Sequence, residues 1–60
     1  MARTVLYGLA REGAVQHTEV LSESDLNRLR ALAKARLNQF HRVEVWVESV
    51  CVVRVKRTAA

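Results

Sequence analysis

The chain contains no proline, a single cysteine (Cys51) and only two glycines, Gly8 and Gly13. One cysteine excludes an intrachain disulfide, and a lone thiol fits a reducing compartment. Two isolated glycines are too few for a glycine-rich phosphate-binding loop. Aromatic residues are equally scarce: Tyr7, Phe40 and Trp46. No apolar run is long enough to cross a bilayer, and Met1-Ala2-Arg3-Thr4 lacks the apolar core of a secretion signal. These absences lead us to expect a cytoplasmic protein without a membrane partner.

The 60 residues form one small domain, 1–60. Such a chain buries a small share of its surface and usually needs a disulfide, a metal or a second subunit. Without the first two, tight packing or self-association is left, and the second is favoured. Half the residues are hydrophobic and 27% are charged, a globular composition. Ten Lys and Arg against six Asp and Glu give a net charge of +4. That charge permits nucleic acid, an anionic membrane or an acidic protein as partner, and it also promotes solubility.

Residues 4–10 and 14–21 are rich in strand formers and flank Arg11-Glu12-Gly13. A type I turn with Gly13 left-handed makes them a hairpin with a three-residue loop. That register puts Val5, Tyr7 and Leu9 on one face with Val15 and Leu21. His17 and Glu19 fall there too, which suits an edge strand. A helix is expected over 23–40. Ser22 is the expected N-cap, Leu21 and Leu26 have the spacing of a hydrophobic staple, and Glu23 and Asp25 favour the first turn. Leu26, Leu29, Ala33, Leu37 and Phe40 form one apolar stripe.

Residues 42–47 alternate strictly, with Val43, Val45 and Val47 on one face and Glu44, Trp46 and Glu48 on the other. In 50–56, Cys51, Val53 and Val55 share a face opposite Val50, Val52, Arg54 and Lys56. A loop of odd length, Val47-Glu48-Ser49, brings the valine faces together. Residues 57–60 read as a frayed tail. The fold expected is α+β: ββαββ, a four-stranded antiparallel sheet in the order 2-1-3-4 with one helix on one face. The order follows from a right-handed crossover between the second and third strands.

Ala31-Leu32-Ala33-Lys34-Ala35-Arg36-Leu37, Val43-Glu44-Val45-Trp46 and Val52-Val53-Arg54-Val55 resemble a group of small uncharacterised bacterial ββαββ proteins. In that group a hairpin and an Ala-rich helix lead into a VEVW strand and a valine-rich last strand. The likeness spans most of the chain through generic motifs. It departs at Glu48-Ser49, where the group usually has Gly. The resemblance implies the fold and no activity.

No residue set points to catalysis. A reactive thiol needs an electropositive, partly open site, whereas Cys51 alternates with valines and reads as buried and inert. His17, His41 and Cys51 match no zinc spacing, so no metal or cofactor is expected. Glu44 and Glu48 lack the cleft that acid–base chemistry needs, and pair more simply with Arg42, Arg54 or Lys56. Arg28, Arg30, Lys34 and Arg36 spread around the helix as a solvated surface does.

Leu6, Trp46, Val50 and Val52 are the expected apolar residues of the sheet face without a helix, and monomers seldom leave such patches open. They are the candidate oligomer interface, unless Trp46 lies flat over the valines and keeps the patch small. Arg42, Trp46, Arg54 and Lys56 on the same face are candidate nucleic-acid contacts, with one aromatic for stacking. The expected function is therefore a non-catalytic interaction or assembly module that self-associates. The alternatives are a nucleic-acid-binding protein using the basic sheet face, and a small phage or mobile-element inhibitor of a host protein.

Overall fold

The computed structural model describes residues 3–57. It contains β1 (Thr4–Leu9), β2 (Val15–Leu21), α1 (Leu26–Arg36), β3 (Arg42–Val47) and β4 (Val50–Lys56). The strands form one antiparallel sheet in the order β2-β1-β3-β4, and α1 packs against β3 and β4. The fold is the α+β arrangement that the strand and helix periodicities predict.

The core lies between α1 and one sheet face. Leu6, Leu29, Ala33, Val43, Val45 and Val53 are buried there. Leu21, Leu37, Phe40, Val52 and Val55 pack around them, partly covered. Leu26, expected in the helical stripe, is 46% exposed.

The helix is shorter than 23–40. Its N-cap is Asp25 rather than Ser22: Asp25 Oδ1 accepts from the backbone N of Asn27 at 2.8 Å and of Arg28 at 3.3 Å. Glu23 Oε2 accepts from the N of Ser24 and Asp25, so those donors need no helical partner. Beyond Arg36 the chain tightens. Leu37 N donates to Lys34 O, and Gln39 N and Phe40 N both donate to Arg36 O. Arg57 closes this end: its guanidinium donates to Leu37 O and Phe40 O, and its backbone N donates to His41 O at 2.8 Å. Arg57 is thus held in place, while the rest of the expected tail, 58–60, lies outside the described residues.

Two one-residue irregularities decide which side chains share a face. In the first hairpin Leu9 pairs with Val15 but Gly8 pairs with His17, leaving Gln16 as an extra residue on β2. Beyond that bulge the register differs from the simple hairpin by one residue. Thr4, Leu6 and Gly8 therefore share the helix side with Leu21, Glu19 and His17. Val5 and Tyr7 turn to the open side with Val20 and Thr18. In the second hairpin Val47 pairs with Val50 across Glu48-Ser49, and Trp46 pairs with Cys51. Val52 is the extra residue, and the valine faces meet again at Val45–Val53 and Val43–Val55. Gly13 has φ +96°, as the first turn requires, and Glu48 occupies the left-handed region at φ 55°.

Candidate functional site: the open sheet face

The face opposite α1 carries Val15, Thr18 and Val20 from β2, and Val5, Tyr7 and Leu9 from β1. From β3 and β4 come Arg42, Glu44 and Trp46, then Cys51, Arg54 and Lys56. No second layer covers this side among the described residues. Val15 and Val20, on its edge strand, are 57% and 71% exposed.

Three of the four expected interface residues are elsewhere. Leu6 is fully buried beneath α1, because the Gln16 bulge turns it to the core. Val52 packs against the core as the bulge residue of β4. Val50 pairs with Val47, so it belongs by register to the helix side and is 60% exposed at the hairpin end. Trp46 keeps its expected face. Cys51 does not lie among the core valines: it is half-buried opposite Trp46, and its thiol donates to Val53 O at 3.4 Å.

Sequence periodicity missed Tyr7. It stands on β1, next to the strand bearing Trp46, and the two flank the cross-strand pairs Val5–Trp46 and Tyr7–Glu44 diagonally. Tyr7, Leu9, Val15, Glu44 and Trp46 line a shallow, mainly apolar hollow of about 320 Å³. Trp46 Nε1 donates to Glu44 Oε1 at 3.1 Å, which holds the indole against its own strand. Glu44 Oε2 also lies 3.4 Å from Arg54 Nε. This is one of the cross-strand pairs expected of Glu44. Glu48 instead accepts from Arg3 N at 3.2 Å.

A second hollow of about 320 Å³ is lined by Arg42, Arg54 and Lys56, the three basic residues expected on this face. Their placement follows from the β3–β4 register, where Arg42 opposes Lys56 and Glu44 opposes Arg54.

On the helix side a polar cluster ties the edge strand to the helix. Arg36 donates to Glu19 through Nε at 2.8 Å and Nη2 at 3.2 Å, and His17 Nε2 lies 3.0 Å from Glu19 Oε1. The Arg36 guanidinium, followed by His17, holds the Glu19 carboxyl down at about 2, although desolvation opposes the shift. The same pairing raises Arg36. The cluster has the geometry of a clasp. It also shows why His17 and Glu19 are comfortable facing inward at an edge.

His17, on the helix side, and Cys51, opposite Trp46, are not brought together. Among the described residues no three His, Cys, Asp or Glu side chains cluster as metal ligands do. No helix among them is long and apolar enough to cross a membrane. The architecture defines a helix-backed antiparallel sheet with one face uncovered. In comparisons with known proteins, the chain matches no protein family, no curated protein and no solved structure.

Proposed function

We propose that the chain is a non-catalytic assembly module that pairs with a second copy through its open sheet face. The observation that carries this reading is the apolar strip of Tyr7, Val15 and Trp46, with the buried Leu9 (6% exposed) at its floor, on a face with no covering layer among the described residues. Four strands of six or seven residues make a face of roughly 20 Å by 20 Å at the usual strand spacing and rise. That is about 400 Å² in projection, short of the ~600–1,000 Å² per partner that stable interfaces bury, so a weak, concentration-dependent dimer is expected. The apolar part of that face, worth about 25 cal/mol per Å² on burial, supplies the drive for pairing. A two-fold arrangement suits one self-complementary patch, with Arg54 and Lys56 at a solvated rim.

The test is light scattering of the parent protein and of Trp46→Lys and Tyr7→Lys. The parent is expected to scatter as a dimer at high micromolar concentration and both variants as monomers. A parent of 6.8 kDa under those conditions overturns the reading. So does a dimer that survives both substitutions.

A second reading, binding of single-stranded nucleic acid on the same face, is favoured by one observation. Tyr7 and Trp46 stand on the two central strands beside Arg42, Arg54 and Lys56. Stacking on two aromatics with cations alongside is how such surfaces hold bases and backbone. Salt-dependent quenching of Trp46 by oligothymidylate in a monomeric sample supports it, and fluorescence unmoved at low salt rejects it.

A further inference from the structure

The hollow between Arg42, Arg54 and Lys56 is built in a way that self-association does not explain. The register sets Arg42 directly opposite Lys56 on adjacent strands, with Arg54 two residues before Lys56 on the same face. Like charges directly opposite each other destabilise a sheet. Glu44 pairs with Arg54 at 3.4 Å, while neither Arg42 nor Lys56 has an ion-pair partner among the described residues. Three cations against one carboxylate leave a local charge of +2 around a hollow of about 320 Å³. Arg42 Nε is also buried without a hydrogen-bond partner. Such orphan donors are uncommon, and each is costly to leave unmet.

We propose that this hollow binds a phosphate-class oxyanion. A phosphate group carries close to the opposite charge and presents three or four oxygens, enough for two guanidinium forks and one ammonium. A carboxylate offers two oxygens and one charge, and leaves part of the cluster unanswered. An oxyanion held there would offer an acceptor to the Arg42 guanidinium, whose Nε–H has none among the described residues. The oxyanion also relieves the repulsion between Arg42 and Lys56 across the strands. A free phosphorylated compound meets this with one terminal phosphate, whereas a nucleic-acid backbone, with one charge and two free oxygens per phosphodiester, meets it only with two successive phosphates at the hollow. The inference does not depend on the proposed self-association.

The experiment is a titration of the folded protein with inorganic pyrophosphate at constant ionic strength, followed through the arginine Nε–Hε signals by NMR. Saturable shifts are expected at Arg42 and Arg54 and not at Arg28, an exposed residue of the helix. Arg42→Gln and Arg54→Gln should each weaken binding at least tenfold. Circular dichroism verifies their folding, and the exposed position of Arg54 keeps the second variant informative if the first unfolds. Uniform, unsaturable shifts at all arginines overturn the proposal, as do folded variants that bind like the parent. A parallel titration with short oligothymidylate separates the sources. Tighter binding accompanied by Trp46 quenching assigns a nucleic-acid backbone, and saturable pyrophosphate binding without it assigns a free phosphorylated compound.

Discussion

Gly8 lies beneath the ring of Phe40: a Cβ at Gly8 would stand 2.6 Å from Phe40 Cγ and Cδ2. Phe40 also stacks on His17, the Cα partner of Gly8, with ring centroids 5.3 Å apart and planes inclined by 17°. The glycine is therefore the space that admits the chain leaving the helix onto the sheet. Gly8→Ala is expected to cost about 1–3 kcal/mol through overpacking, read as a lower midpoint in urea. Phe40→Leu combined with Gly8→Ala should recover part of that loss, because the smaller side chain vacates the site.

Leu29 is 1% exposed, whereas Leu37 is only partly covered at the helix end. Both belong to the apolar stripe of the helical segment, but their burial ranks them. Leu29→Ala should cost about 2–5 kcal/mol and leave little folded protein. Leu37→Ala should cost less, and thermal melts of the two variants give the order.

The Glu19–Arg36 clasp makes stability depend on acid. Glu19 has its folded value lowered from 4.5 to about 2, first by the hydrogen bonds from Arg36 and then by His17. A lowered carboxylate stabilises the fold fully above the unfolded value and loses that contribution as pH falls through the folded one. Stability should therefore decline between pH 4.5 and about 2. Both side chains retain some exposure, so the pair is worth only about 1 kcal/mol. Urea midpoints for Glu19→Gln should be lower at neutral pH and flatter across that interval.

Glu48 holds φ 55° in the β3–β4 turn, a conformation that disfavours side chains other than Gly, Asn and Asp. Its carboxylate gains one exposed hydrogen bond from Arg3 N in return. Glu48→Gly is expected to stabilise by about 1 kcal/mol, raising the melting temperature by roughly 4–8 °C for a domain of this size. Glu48→Val should lower it.

Element order and sheet order were legible in the sequence, because alternation, helical spacing and the handedness of the crossover are local or chiral properties. The face carrying Arg42, Glu44 and Trp46 was equally legible, since 42–47 alternates without interruption. Tertiary packing alone decided the faces of β1. Its residues alternate Val5, Leu6, Tyr7, Gly8 and Leu9, apolar on both sides, so periodicity could not say which set meets the helix. The Gln16 bulge, the fit of Phe40 over Gly8 and the Glu19–Arg36 pair settle it, burying Leu6 and releasing Tyr7. The Val52 bulge does the same on β4 and moves Cys51 to Trp46. One extra residue reverses every side chain beyond it, and its position depends on contacts with a helix many residues away. The sequence by itself therefore determined the strands, the helix and the basic character of one sheet face. Only the folded chain determined that Tyr7 joins Trp46 there and that Arg42 stands opposite Lys56.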